Sequence, residues 1–137
     1  MALPAGFTFS QASLQDYSDC ARRFQLRYLL EVRWPAAEAS TSAWEERAQQ
    51  GAAFHLLVHQ HTVGIPVEAL TATITDPELH TWWQAYLHTP PPDLPREVRS
   101  SEVRLSTPLN GYRLMARYDL LAITPGQRAV IVDWKTS

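Results

Sequence analysis

Lys135 is the only lysine in a chain of 137 residues, the other eleven basic side chains being arginine, and it follows Asp133 at a spacing of two. In an extended segment alternate side chains share a face, so Asp133 and Lys135 point one way while Val132 and Trp134 point the other. Two further acids come into line with them. If Asn110-Gly111 is a two-residue hairpin loop, Glu102 lies opposite Asp119. If the next loop is centred on Gly126, Asp119 also lies opposite Asp133, with Leu121 facing Ile131. Opposed like charges destabilise a sheet, and each buried carboxylate adds a desolvation penalty of several kcal/mol unless something compensates. A divalent cation would compensate. Carboxylate oxygens suit Mg2+ or Mn2+, which activate water and neutralise charge building on a phosphodiester. Lys135 would then orient the water or stabilise the pentacovalent phosphate. With the register shifted by one residue, the same acids stand solvated at an edge.

His55, His59 and His61 form the other polar cluster, and the first two share a helix face at i, i+4. The stretch reads His-Leu-Leu-Val-His, with Leu56 where a metalloprotease helix needs its glutamate. The residues leave two roles open for each histidine, metal ligand or packing group. Cys20 has no other cysteine in the chain to pair with, and its expected place is the core.

These groups are positioned by an α+β arrangement. Ser13 as cap, Asp16 in the first turn, and Leu14, Tyr17, Ala21, Phe24 and Tyr28 predict an amphipathic first helix. Its flank carries Arg22, Arg23 and Arg27, with Arg33 beyond, a basic face that is either solvated or in contact with phosphates. Pro35 marks a break. Ser42 and Glu45 have capping-box spacing, and a second helix runs from Ala43 to about Val63 with one internal glycine, Gly51. Asp76 as N-cap and Pro77 start a third helix, supported by Leu79, Trp82, Trp83, Tyr86 and Leu87 and stopped at Thr89. The prolines from Pro90 to Pro95 form a stiff connector to three strands, Glu97–Leu109, Tyr112–Thr124 and Ala129–Lys135, which make an antiparallel meander. Of Trp82 and Trp83, at least one is expected in the core, and an exposed one would mark a partner surface.

Composition narrows the class. A content of 45% hydrophobic and 10% aromatic residues excludes disorder, and a net charge of −2 gives no basic coat for nucleic acid, so any such contact is local. No apolar run approaches the roughly 20 residues that span a bilayer. The N-terminus has no secretion pattern, and a cytoplasmic location without a membrane partner is expected.

The order of these motifs resembles the PD-(D/E)XK nuclease superfamily, in particular its RecB-like branch of AddB-type and CRISPR-associated exonucleases. Phe9-Ser10-Gln11-Ala12-Ser13 through Cys20-Ala21-Arg22-Arg23-Phe24 is similar to that branch's opening helix, with Ala21 in place of proline. Gly51 to His55 resembles its G-x-x-x-H helix, and Ala116-Arg117-Tyr118-Asp119 its G-x-x-D strand, with Ala116 for glycine. Val130 to Ser137 resembles the hydrophobic strand and D-x-K-T-S signature, the most specific of the set.

The resemblance implies a metal-dependent DNA hydrolase. Asp119 and Asp133 would hold the metal with His55 as a further ligand, Lys135 would serve the attacking water, and Glu102 would support them. His59 and His61 stay packing or surface groups. Cys20 matches the first ligand of the iron-sulfur members but is the chain's only cysteine, so no cluster is expected. Such domains continue past the D-x-K strand into a helix and a further strand. The expectation is therefore a single domain over residues 1–137 whose restriction-endonuclease-like core lacks its last helix and strand.

Three readings follow. The first is a Mg2+- or Mn2+-dependent exonuclease of repair, recombination or CRISPR adaptation, with DNA as partner and a helicase, another repair subunit or a chain completing the fold beside it. The second is a non-catalytic module that binds nucleic acid or protein. The third is a structural metal site on His55 and His59 in an unrelated α+β protein.

Overall fold

The structure, a computed structural model, describes residues 2–33 and 41–136. Their order is helices followed by a mixed four-stranded sheet, an α+β fold consistent with the restriction-endonuclease type. Two compact units are defined, one of Met1–Ala36 with Arg104–Arg117 and one of Ala37–Val103 with Tyr118–Ser137.

In the first unit, Ser10 rather than Ser13 caps α1 (Gln11–Asp19). The Ser10 hydroxyl accepts from the Ser13 amide at 3.2 Å, and the Ser13 hydroxyl accepts from the Ser10 amide at 2.9 Å. Ser13 is thus the N3 partner, in the first turn, of a reciprocal capping box. The helix does not run on to Tyr28. It breaks at the extended Cys20, resumes as α2 (Ala21–Phe24) and widens into a π turn at Gln25–Leu29. A periodicity counted through Cys20 therefore loses phase, and Leu14 and Tyr17 are exposed while Ser13, Asp16 and Phe24 are buried. Cys20 is exposed too, against the expectation of a core position.

Asp16 tolerates burial because Arg27 at 2.7 Å and the Tyr28 hydroxyl at 3.0 Å donate to it and the charge of Arg23 stands beside it, with Nε at 2.8 Å. The hydrogen bond from Arg27 holds its carboxyl below the ordinary range. Arg23 and Arg27 are thus turned to an internal partner, and Arg22 bonds Gln25. Phe24 is packed by Phe7, Tyr17 and Tyr28. A short strand, β1 (Thr8–Phe9), pairs in parallel with Arg113 and Leu114, which sequence patterning did not reveal because two residues carry no period.

The second unit is built on α3 (Thr41–Thr62), α4 (Val67–Thr71) and α5 (Pro77–His88). The capping side chain proposed for α3, Ser42, lies outside the described residues, as does Pro35. The cap of α5 is as expected: Asp76 Oδ1 accepts from the amides of Glu78 at 2.8 Å and Leu79 at 3.0 Å. Its other oxygen accepts from Gln50 of α3 at 2.8 Å, which ties the two helices. Phe54, Leu57 and Val58 of α3 bury against Leu70, Leu79 and Trp83. Trp83 is fully enclosed, with its indole N–H on the Thr71 hydroxyl at 2.9 Å, while Trp82 is half-buried at the margin.

The long strands are β2 (Val98–Leu109), β3 (Tyr112–Thr124) and β4 (Arg128–Val132). Asn110 at φ +45° and Gly111 at φ +83° make the turn between β2 and β3, as a type I′ hairpin requires. Pro125 and Gly126 form the turn before β4, closed by the Gln127 amide on the Thr124 carbonyl at 3.1 Å. Leu121 faces Ile131 as expected, but β4 ends at Val132, so Asp133 and Lys135 follow the strand instead of lying in it.

Trp83→Ala is expected to lower unfolding stability by about 3–5 kcal/mol in urea titrations, because a large enclosed ring leaves a cavity. Leu56→Ala, on the exposed face of α3, should stay within about 0.5 kcal/mol.

Candidate functional site

The site lies within the second unit, where the last paired residues, Leu120 and Val132, mark the end of the ladder between β3 and β4. One position before Leu120, the Asp119 side chain continues the pairing that the backbone stops. Its Oδ2 accepts the Trp134 amide at 2.7 Å, fixing the extended segment that carries Asp133 and Lys135. Its Oδ1 faces His55 Nδ1 at 3.1 Å, within reach of an N–H donated to the carboxylate. His55 reaches it from the middle of α3, one residue after the buried Phe54.

Glu102 arrives by a different route. It occupies the left-handed region at φ +56° in the middle of β2, a conformation that holds about 1–3 kcal/mol of strain in a residue with a Cβ. Ser101, Glu102 and Val103 are all half-buried in succession, so strict alternation fails here. Ser101 is held by His59, whose Nδ1 lies 2.6 Å from its hydroxyl. The outcome is a group of ligand atoms from His55, Glu102 and Asp119 that all lie within 4.8 Å of one another. Two carboxylates and an imidazole gathered this closely form a donor set that would suit a divalent cation.

Asp133 lies outside that group of three and is bound to Lys135, with Nζ 2.5 Å from Oδ2. The hydrogen bond that the ammonium donates to Asp133 raises the Lys135 pKa and keeps the ammonium charged. Asp133 also stands close enough to Asp119 to act on its ionisation. Burial is the main cause that pushes the Asp119 carboxyl above its ordinary range, and Asp133 adds to it. The Trp134 amide and His55 act in the opposite sense.

Sequence reasoning missed the contacts that hold this arrangement. A Cβ built on Gly51 would come 3.2 Å from the Thr136 hydroxyl, so the glycine inside α3 gives the segment after Lys135 its seat. The signal was present, since a glycine inside a helix is disfavoured by about 1 kcal/mol and invites a packing reason. His59 is engaged with Ser101 and His61 with the Tyr86 hydroxyl at 2.8 Å, and the ligand group found among the described residues contains His55 without His59.

The family model described as the PD-(D/E)XK nuclease superfamily matches residues 8–137. No curated protein and no solved structure matches the chain.

Two outcomes are expected from the metal-free protein. A raised carboxyl pKa means that ionising Asp119 destabilises the fold, so its contribution is full in acid and is lost as pH rises through the shifted value. Asp119→Asn should therefore raise the Tm at pH 7 and leave it unchanged at pH 3, as read by thermal scans. Gly51→Ala should gain the roughly 1 kcal/mol of helix propensity only when combined with Thr136→Ala, which a double-mutant cycle of urea midpoints measures.

Proposed function

Since the chain belongs to the PD-(D/E)XK nuclease superfamily, we propose that it is a metal-dependent DNA hydrolase, an exonuclease of the RecB-like branch working in repair, recombination or CRISPR adaptation. Members of this superfamily are generally nucleases and typically use divalent metals. The observation that carries the reading is the meeting of His55, Glu102 and Asp119 beside an Asp133–Lys135 pair.

In this reading His55, Asp119 and Glu102 would hold Mg2+ or Mn2+, and Asp133, paired with Lys135 outside that group, would join them only by turning from the ammonium. A cation held there would supply a water of lowered pKa and offset charge on the phosphate. The chain's own groups do the positioning. The Trp134 amide fixes one Asp119 oxygen and leaves the other to face His55. Asp133 keeps Lys135 protonated and aims it, so the ammonium donates to the attacking water or to a phosphate oxygen as negative charge develops there. A module that only binds accounts less well for acids gathered at the expense of desolvation and a strained Glu102. DNA is the substrate partner in this proposal, with a helicase or another repair subunit as protein partner. No helix among the described residues is long and apolar enough to cross a membrane.

The test is cleavage of end-labelled DNA with Mn2+ and with a chelator, alongside Mn2+ binding followed by electron paramagnetic resonance. Lys135→Ala should lower kcat about 10²–10³-fold and leave Mn2+ binding in place. Asp119→Asn should abolish both. Cleavage that persists in the chelator, or Mn2+ binding unaffected by Asp119→Asn, would rule the reading out.

A further inference from the structure

Beside Lys135 the second unit has a small cavity of about 200 Å3, lined by Phe54, Trp82, Tyr86, Trp134, Lys135 and Thr136. Its walls are aromatic and set at right angles to one another. The rings of Phe54 and Trp82 meet edge to face at 6.3 Å, and those of Tyr86 and Trp134 at 5.4 Å. Phe54 is locked in the core, whereas Trp82 is only half-buried and offers part of its indole to the opening. Trp82, Tyr86 and Trp134 pack against the core and also line this opening.

We infer that this cavity receives one nucleobase of a single-stranded DNA substrate, next to the phosphate on which Lys135 acts. The inference rests on the proposed function and names its substrate class. Three observations point to it. The volume falls below the roughly 300–1,000 Å3 of ordinary small-molecule pockets, so it suits one flat ring and excludes a base still paired to its complement. Aromatic walls bind any base by stacking, without reading its sequence. Lys135 lines the cavity while its ammonium sits 2.5 Å from Asp133, so a base here brings its own phosphate to the charged end of that side chain. An aromatic peptide side chain would fill the same space but carries no anion to meet the ammonium.

The experiment uses the full chain without metal, so that base binding is read apart from hydrolysis. Oligothymidylate carrying one 5-iodouracil is photo-crosslinked, and the adduct is mapped by mass spectrometry. Attachment at Trp82, Tyr86 or Trp134 is expected. In parallel, Trp82→Ala should weaken oligothymidylate binding roughly 5- to 150-fold at fixed salt and leave duplex binding unchanged. Trp82→Phe keeps a ring against Phe54 and should retain most of the affinity, which separates stacking from loss of folding. Crosslinks confined to other residues, or equal losses on single strands and duplex, would overturn the inference. Cleavage of duplex DNA by the Mn2+-loaded protein would in that case leave the metal reading standing.

Discussion

A single carboxylate, that of Asp119, sits where the sheet ends and the site begins, and both of its oxygens are engaged. One holds the Trp134 amide, and the other faces the His55 imidazole. The first contact replaces a ladder hydrogen bond that the backbone no longer makes beyond Val132. It sets the direction of the extended segment and with it the placement of Asp133 and Lys135. The second contact ties the sheet to α3. Burial opposes ionisation of this group, and the arrangement offsets that opposition with one amide and one imidazole, which is incomplete compensation. A partly compensated acid cluster is the electrostatic condition under which a hard cation binds well.

The remainder of the second unit makes that condition possible. Phe54 buries on one side of α3 and so turns His55 outward to Asp119. Gly51, one helical turn earlier, clears the space that Thr136 occupies. His59, one turn later, bonds Ser101 and adjoins the strained Glu102. Thus one helix contacts every segment that carries a candidate side chain, and its glycine and two histidines are spaced by four residues for that purpose.

The first unit shows the same economy with a different purpose. Its arginines look like a phosphate-binding face when laid out as a sequence, yet Arg23 and Arg27 converge on the buried Asp16. Charge here serves packing. The chain breaks at Cys20 between Asp16 and both arginines, with Arg23 on α2 and Arg27 within the π turn that follows it.

Local patterns in the amino-acid sequence were enough to locate the second and third helices, the Asp76 cap, the Asn110-Gly111 turn and the Leu121–Ile131 register. Each is decided by residues within a few positions of one another, through hydrogen bonds and backbone preferences that act at short range. Turn geometry also named Glu102, Asp119, Asp133 and Lys135 as candidates, since it brings acids on successive strands together, while the ligand role of His55 came from the resemblance to the nuclease family. What only the tertiary structure decided is how they meet. Ending β4 at Val132, twisting Glu102 out of strand alternation, and seating Thr136 on Gly51 depend on contacts between residues tens of positions apart, and no periodicity in the chain encodes those.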